Sequence, residues 1–472
     1  MTRTTTRADG SGLTHGERLV RGKLARAATP RSQHAGLARD PAAPAPLDLL
    51  AGQDATRVPD LVPIRYARMA VSPFTYFRGA ALPMAADLDG TPVTGFPVQA
   101  CGDAHLMNFG LFASPERRMV FDINDFDETT PGPWEWDVKR LAASVEIAGR
   151  DNGFTGKQCT TAVLATVGEY RRAMRRFAGM TALEVWYAHA DVEAVRAVQA
   201  SRLSAARRRR LDRTVDKARA SDHLRSLRRF ATSSGGRLRI AADEPRIITL
   251  DRFPGAGHTA SELMTRLTGV FQAYRHSLEP ERQALLDRYT VADIAHKVVG
   301  VGSVGTRCWM ILLFGNDDAD PLFLQAKEAG ESVLERFAGR SRFGNAGQRV
   351  VVGQRLMQTV SDIFLGWVRV RGLDDHARDF YLRQLRDGKG TAMVSTMDPE
   401  LLAAYGRLCG WTLARAHART GDPIAIGGYL GSSPVFDRAV REFAGTYADR
   451  TEHDHATLRE AIAAGRVPAR EG

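Results

Sequence analysis

The stretch from Cys101 to Glu128 constrains this chain more than any other part of its sequence. It combines acidic side chains, one His and two Asn with two short apolar runs, 109–112 and 119–123. The second run has the pattern of a buried strand that ends close to Asp125 and Asp127. Because polar groups beside a buried strand cost stability, we expect this stretch to carry chemistry.

The polar residues of this stretch form a pattern that is typical of magnesium sites. Gly102 and Asp103 begin a turn, Asn108 follows on the same loop, and Asp125 comes from the end of the next strand. Carboxylate and amide oxygens are the hard ligands that Mg²⁺ takes while it keeps phosphates and waters. The sequence therefore predicts a magnesium-binding arrangement at this point.

Two motifs in this region resemble known families. G-D-A-H-L-M-N (102–108) resembles the H-G-D-x-H-x-x-N loop of aminoglycoside and choline kinase-like phosphotransferases, and N-D-F-D (124–127) resembles the metal-binding Asp that follows it there. The wider text, which includes S-P-F-T-Y-F-R-G-A-A (72–81) and N-D-F-D-E-T-T-P-G-P-W-E-W-D-V-K-R-L-A-A-S (124–144), resembles the bacterial domain-of-unknown-function family numbered 2252. The second resemblance covers most of the chain and is the more specific.

The kinase resemblance implies a role for each polar residue of the two motifs. Asp103 orients or deprotonates an acceptor hydroxyl, and His105 supports the loop or shifts the charge on Asp103. Asn108 and Asp125 hold Mg²⁺, and Asp127 is a candidate second metal ligand. The candidate catalytic group is thus Asp103, His105 and Asn108.

A second informative region contains a glycine pattern. Gly300, Gly302 and Gly305 give G-x-G-x-x-G, with Ser303 inside the loop. A dinucleotide-binding turn would open into a helix, whereas 306–314 has the pattern of a strand, ends at a G-N-D-D turn and precedes another strand-like run. The order strand, glycine loop, strand, turn and strand is that of a kinase small lobe, whose main-chain N–H groups cover phosphates.

Lys327 ends the last of these strands, in L-Q-A-K-E-A. A lysine at this place contacts the α and β phosphates of ATP in kinases. We expect Glu331 or Glu335 on the following helix to form its ion pair, and we favour Glu335. The segments 361–370 and 379–385 are expected to be further strands, and 384–388 falls where a hinge holds adenine through main-chain hydrogen bonds.

Other segments have an ordinary structural interpretation. Arg65, Arg68 and Arg78 lie among aromatic residues, where salt bridges in the wall of the catalytic lobe are favoured over a substrate-phosphate contact. Asp137 is interpreted as an anchor of the catalytic loop, and His417 as a structural residue on a helix face.

Composition limits the partners and the location. The net charge is +11, but the basic residues are spread out, and the run 201–229 has few aromatic residues that could stack on bases. A solvated helix face is therefore favoured over a nucleic-acid patch. The longest apolar run, 308–314, is far shorter than the roughly 20 residues of a membrane span. The four cysteines are scattered without metal or redox spacing, and we expect a cytoplasmic protein.

These patterns predict an α+β, protein-kinase-like fold with two lobes in circularly permuted order, because the catalytic loop precedes the glycine loop. The expected organisation is a mobile basic arm (1–60), a helix-rich catalytic lobe (61–290), a small β-rich nucleotide lobe (291–388) and a helical return (389–472). Permutation is compatible with function, since a site must be assembled in space and not in chain order.

The predicted function is an ATP- and Mg²⁺-dependent phosphotransferase with an unidentified small-molecule or protein acceptor. Two alternatives stay open. G-D-A-H also matches the opening G-D-x-H of metallophosphoesterases, although the further histidine segments of those sites are missing from the sequence. A catalytically inactive nucleotide-binding module would keep the same fold.

Overall fold

The computed structural model describes residues 12–470, apart from 38–42, 194–204, 220–222, 235, 251, 253–259, 299, 301, 303, 373–375 and 386–387. Its helices and antiparallel sheets confirm the α+β class. The first part of the chain contains α1 His15–Ala28, α2 Pro46–Asp54, α3 Val62–Met69, α4 Pro73–Gly79 and α5 Ala81–Asp89.

Helix α1 is docked on the body of the protein. Gly22 packs so closely that a Cβ built on it would lie 2.0 Å from the main-chain oxygen of Ala425. Arg18 Nη2 donates to Asp422 Oδ1 at 2.7 Å. Within the expected mobile arm, residues 15–28 thus form a docked helix. The reason is that α1 docks through a glycine contact and an ion pair, which an apolar pattern does not reveal.

A small antiparallel sheet carries the motif region. Its order is β14-β2-β3-β5, and β1 pairs with β4 beside it. The strands are β1 Pro97–Ala100, β2 Phe109–Ala113, β3 Met119–Ile123, β4 Thr130–Pro133, β5 Ala190–Asp191 and β14 Gly390–Thr391. The buried strand predicted from the sequence is β3, whose five residues are all buried. The β2–β3 pair therefore brings the residues before β2 close to those after β3.

Helices pack around this sheet to form the largest apolar core. They are α6 Trp134–Asp151, α7 Gly156–Phe177, α8 Ala182–Tyr187, α15 Pro399–Thr420, α16 Pro423–Leu430 and α17 Val435–Ala463. Helix α7 begins with a capping box between Thr155 and Gln158, and Asp398 caps α15. Gly410 lets α15 approach α7, since a Cβ there would lie 2.4 Å from Thr166 O.

A six-stranded antiparallel sheet, in the order β12-β13-β11-β10-β9-β8, forms the second part of the molecule. Its strands are β8 Ile247–Thr249, β9 Thr290–Lys297, β10 Cys308–Phe314, β11 Pro321–Ala329, β12 Gly366–Arg371 and β13 Ala377–Gln384. On one face, Leu324 and Ala326 pack in a cluster with Tyr274. Side chains alternate along a strand, so Gln325 and Lys327 belong to the opposite face.

The remaining elements flank this sheet. They are α9 Ala205–Arg219, α10 His223–Phe230, β6 Ala231–Ser234, β7 Arg237–Ile240, α11 Ala260–Arg275, α12 Pro280–Leu286, α13 Glu335–Ala338 and α14 Ala346–Met357. In the basic run 201–229, Val215 and Ala218 are buried while Arg209 and Arg213 are exposed. No helix among the described residues is both long and apolar enough to cross a membrane.

Two expectations for 361–388 need correction. The strand expected over 361–370 begins only at Gly366, because Asp362 Oδ1 accepts the N–H of Phe364 at 2.8 Å and closes a turn. In the segment expected to hold adenine, 384–388, the first two main-chain N–H groups already donate within the protein. Gln384 N–H donates to Asp362, and Leu385 N–H donates to Phe323 O at 2.9 Å, so neither is left for adenine. Residues 386–387 of that segment lie outside the described residues.

Candidate functional site

A cleft of about 490 Å³ lies between the two sheets. One side is formed by Asp103, His105, Asn108, Asp125 and Asp127, which come from the segments before β2 and after β3. The other side is formed by residues of the six-stranded sheet and its glycine segment, which are Lys297, Gly300, Gly302, Gln325, Lys327 and Arg383. The two motif regions found in the sequence thus line one cavity.

The loop before β2 is held in place from behind by Asp137 of α6. Its Oδ2 accepts the N–H of Cys101 at 2.6 Å, and its Oδ1 accepts the N–H of Gly102 at 2.9 Å. His417 Nε2 lies 3.1 Å from Asp137 Oδ2. Gly102 has φ +81°, and a Cβ built on it would lie 2.3 Å from the main-chain oxygen of Glu128. Only glycine therefore fits at this position. The anchoring role predicted for Asp137 agrees with these contacts.

Asp103 is held by an arginine that the sequence analysis did not single out. Arg140 of α6 donates to Asp103 Oδ1 from Nε at 2.8 Å and from Nη2 at 2.6 Å. Asp103 Oδ2 lies 3.4 Å from Asn108 Nδ2 and 3.6 Å from His105 Nε2. Burial raises the pKa of Asp103, and Arg140 opposes that rise. One carboxylate oxygen is thus fixed by Arg140, and the other lies beside the two motif side chains.

Hydrogen bonds define the orientation of His105 and Asn108. His105 Nδ1 accepts the N–H of Met107 at 3.2 Å, so the ring proton is on Nε2, on the side of Asp103. Burial, together with Arg78 and Arg140, lowers the pKa of His105 well below its usual value, so the ring is neutral. Asn108 Nδ2 donates to Asp103 O at 2.8 Å, which leaves Asn108 Oδ1 as the acceptor that a cation would meet.

The acidic residues after β3 contact Lys327 of β11 directly. Lys327 Nζ donates to Asp127 Oδ2 at 2.5 Å and lies 3.9 Å from Asp125 Oδ1. Tyr381 of β13 donates to Asp127 Oδ1 at 2.6 Å. Burial disfavours ionisation of Asp127, but Lys327 and Tyr381 outweigh it and lower the pKa to about 2. Burial raises the pKa of Asp125, and the neighbouring Asp127 adds to the rise.

Lys327 is charged although its side chain is only 4% exposed. Burial works to lower its pKa, but Asp125 and Asp127 together raise it well above the usual value. The expected ion pair between Lys327 and Glu335 is wrong. Glu335 Oε1 instead lies 3.3 Å from Arg349 Nε and accepts the N–H of Ser332 at 3.1 Å. The physical reason is that the helix expected after β11 is only a single short turn, α13, which begins at Glu335 itself.

The glycine segment covers one end of the cleft. Gly300 and Gly302 line it, whereas Gly305 lies outside the lining with φ +91° and accepts the N–H of Val58 at 2.7 Å. Arg57 donates to the main-chain oxygen of Val304 and, at 3.2 Å, to that of Gly302. The segment is therefore fastened to the chain before α3. The predicted phosphate-binding Ser303 lies outside the described residues.

Several residues of the cleft were missed by the sequence analysis. They are Arg57, Glu128, Arg140, Tyr381, Arg383 and Lys389. Burial raises the pKa of Glu128 to about 7, and its Oε2 accepts the N–H of Val333 at 2.7 Å. Tyr381 is opposite Lys327 in the antiparallel pair of β11 and β13. That pairing, like the position of Arg140 on α6 relative to the cleft, is known only from the fold, so the sequence carried no signal for either residue.

The oxygen atoms of Asn108 and Asp125 suit a magnesium ion whose remaining coordination positions are filled by a substrate. No group of three or more His, Cys, Asp or Glu side chains within the described part of the chain is arranged to hold a metal. Mg²⁺, however, is often held by one or two carboxylates together with phosphates and waters. Asp125 is 32% exposed, and Asn108 has its amide oxygen left over. Both oxygens of Asp127 already accept hydrogen bonds from Lys327 and Tyr381, so Asp125 is the better donor.

Comparison with known proteins places the chain in a family. The profile of a family described as an uncharacterised protein conserved in bacteria (DUF2252) matches residues 57–461. No curated protein and no solved structure matches the chain. The matched range includes the loop before β2, the acidic residues after β3, the glycine segment and Lys327, and so contains both sides of the cleft. The chain belongs to the DUF2252 family of uncharacterised bacterial proteins.

Proposed function

We propose that this protein is an ATP- and Mg²⁺-dependent phosphotransferase with a kinase-like, circularly permuted arrangement of its two lobes. The observation that carries the proposal is the position of Lys327 Nζ, 2.5 Å from Asp127 and 3.9 Å from Asp125. This buried lysine and the two acids share a cleft with Asp103 and with two glycines of the G-x-G-x-x-G segment. Such a set of groups matches the parts that phosphoryl transfer needs.

The phosphates of ATP fit the basic side of the cleft. Lys327 contacts the α and β phosphates in this proposal, and the main-chain N–H groups near Gly300 and Gly302 cover them. Lys297 and Arg383 line the same side and add positive charge. Asp127 keeps Lys327 charged and in place until the nucleotide binds. Positioning and charge neutralisation together supply most of what this reaction requires.

Asn108 and Asp125 would hold Mg²⁺. The ion, when bound, neutralises the charge that develops on the phosphate oxygens. Asp127 stays with Lys327 and Tyr381 and is the less suitable ligand, although the sequence suggested it as one.

Asp103 has the position of the acceptor-orienting carboxylate. An acceptor hydroxyl oxygen forms a bond to the γ phosphorus, and the bond between that phosphorus and the β–γ bridging oxygen breaks, so ADP leaves. The hydroxyl proton passes to Asp103 Oδ2, the oxygen that Arg140 does not hold. Neutral His105 and the amide of Asn108 flank this oxygen and orient it.

Nucleotide binding is tested first. Thermal unfolding of the full chain with and without Mg-ATP should show stabilisation of about 2.7 kcal/mol when the free nucleotide is at about 100 times its Kd. Lys327→Met should remove most of this shift, whereas Lys157→Met, at an exposed position on α7, should keep it. If the wild type shows no shift with Mg-ATP, the nucleotide has no place in the function.

Transfer is tested next, by following ADP formation from Mg-ATP with a panel of hydroxylated small molecules and proteins. Asp103→Asn should keep nucleotide binding and lose ADP formation by a factor of at least about 100. Two other outcomes would contradict the proposal. Hydrolysis of a generic phosphoester with Mn²⁺ and without ATP would indicate a phosphoesterase. Binding of Mg-ATP with ADP formation equal in wild type and Asp103→Asn would indicate a nucleotide-binding module.

A further inference from the structure

Arg78 lies between the two halves of the cleft and has no role in the function described so far. It is in the last turn of α4, and its side chain lines the cleft together with Asp103 and Gly302. The main-chain oxygen of Arg78 lies 3.2 Å from the place that a Cβ on Gly302 would occupy. Gly302 therefore packs directly against Arg78, and a larger side chain at position 302 would contact its main chain.

Within the described part of the chain, the guanidinium of Arg78 has no hydrogen-bond partner. Its Nε is buried and has no hydrogen bond within the described structure. Asp103 is the acid whose charge acts on Arg78, but its Oδ1 is already bonded to both Nε and Nη2 of Arg140. Burial lowers the pKa of Arg78, and Asp103 raises it in part. A desolvated cation without a counterion costs free energy, which an anionic ligand would recover.

Several other arginines that line the two described cavities each have at least one bonded donor, although the Nε atoms of Arg57 and Arg349 are also without a hydrogen bond. In a second cavity of about 610 Å³, Arg18 is bonded to Asp422, Arg349 to the main-chain oxygens of Thr129 and Gly330, and Arg419 to that of Leu356. In the cleft itself, Arg57 is bonded to the oxygens of the glycine segment. Arg78 differs from these arginines because, within the described residues, none of its guanidinium donors is bonded to a protein acceptor.

The location of Arg78 restricts what that ligand group can be. Lys327 lies on the side of the cleft formed by the six-stranded sheet. Asp103, which would take the acceptor proton, lies on the opposite side, and its charge acts on Arg78. The group that passes between a nucleotide on Lys327 and an acceptor on Asp103 is the γ-phosphoryl group. A planar guanidinium is well suited to its oxygens, because it donates two parallel hydrogen bonds and keeps its charge.

We propose that Arg78 binds the non-bridging oxygens of the γ-phosphoryl group and distinguishes a nucleoside triphosphate from a diphosphate. This inference rests on the proposed function and adds a catalytic residue to it. Because the charge on these oxygens is redistributed during transfer, a fixed cation beside them also favours the transition state.

The test measures binding of the non-hydrolysable analogue AMP-PNP and of ADP, each with Mg²⁺, by isothermal titration calorimetry on the full chain. Arg78→Met should weaken AMP-PNP binding at least tenfold and leave ADP binding within about twofold. Arg78→Lys should recover part of the lost affinity, since it restores the charge without the planar donor pair. Arg342→Met, at an exposed arginine, is the matched control and should bind both nucleotides as the wild type does.

Each result decides between defined alternatives. Equal weakening of both nucleotides in Arg78→Met, or unchanged binding of both, overturns the role of Arg78 and leaves the proposed function in place. Failure of the wild type to bind either nucleotide overturns both. Should Arg78→Met unfold, Arg78→Lys carries the test, because loss of the preference for AMP-PNP over ADP in that variant supports the role and an unchanged preference contradicts it.

Discussion

Asp122 and Asp127 are close in the sequence, but their ion pairs have opposite character. Asp122 pairs with Arg415 inside the helical core, where the two side chains are 3% and 1% exposed. Asp127 pairs with Lys327 at the cleft, where the carboxylate is 27% exposed and the lysine 4%. The first pair is closed off from solvent, and the second has one side open to a ligand.

The surroundings of the two pairs explain the difference. Asp122 Oδ2 accepts the N–H of Thr359 at 3.1 Å, and Arg415 Nη1 donates to Met357 O at 2.5 Å, so both partners are satisfied by fixed groups. Asp127 and Lys327 instead lie beside Asp125, a carboxylate with a raised pKa, which accepts the N–H of Asp127 at 3.3 Å and lies 3.9 Å from Lys327 Nζ. An ion pair with fully satisfied partners holds the fold together, whereas one next to an under-compensated charge can exchange partners when a ligand binds.

The largest expected effect comes from breaking the solvent-excluded ion pair between Asp122 and Arg415. Arg415→Met leaves the Asp122 carboxylate buried without its cation, and removal of one partner of a buried pair costs about 3–5 kcal/mol. We expect the free energy of unfolding, measured by urea denaturation, to fall by this amount. Arg172→Ala, which removes an exposed partner of Glu169 on α7, should change it by less than about 0.5 kcal/mol. A cost for Arg415→Met as small as that of the control would contradict the structural role.

The second largest effect is expected from breaking the ion pair between Asp127 and Lys327 at the cleft, which we call the open pair. Lys327→Met should lower the free energy of unfolding by only about 1–3 kcal/mol, because Asp127 keeps its hydrogen bond from Tyr381 and its access to solvent. The same substitution should reduce affinity for Mg-ATP at least tenfold, measured by calorimetry. The comparison fails if Lys327→Met destabilises the protein as strongly as Arg415→Met and Mg-ATP binding stays unchanged.

The smallest effect is the pH dependence of the open pair. Lys327 and Tyr381 overcome the effect of burial and hold the pKa of Asp127 at about 2 in the folded state, below the usual 3.9 or so of an unfolded chain. The carboxylate therefore stabilises the fold fully above about pH 5, and its contribution is lost as the pH falls toward 2. The difference in unfolding free energy between wild type and Asp127→Asn should be constant from about pH 5 to 7 and shrink below that. A difference independent of pH down to about pH 3 would show that Asp127 is not ionised in this pair.

Local sequence patterns identified the pieces of the candidate site well. The buried strand β3, the strand that carries Lys327 and the anchor Asp137 were all expected from short stretches of sequence, because alternation and turn residues are properties of neighbouring positions. Local patterns failed where a contact depended on a distant surface. Glu335 was expected to pair with Lys327 from chain order alone, yet α13 directs it to Arg349. Helix α1 was read as mobile, because the Ala425 backbone on which Gly22 docks belongs to a distant helix.

By itself the sequence determined the α+β class, the chemical types gathered in each motif and the strands that carry them. Only the tertiary structure decided that Lys327 meets Asp127 across 200 positions of chain, that Arg140 occupies one oxygen of Asp103 and that Arg78 is left without a partner. The physical reason is that residue type and local periodicity act over a few residues. The partner of a buried charge is chosen instead by which surfaces pack together, and that choice is made by the whole chain at once.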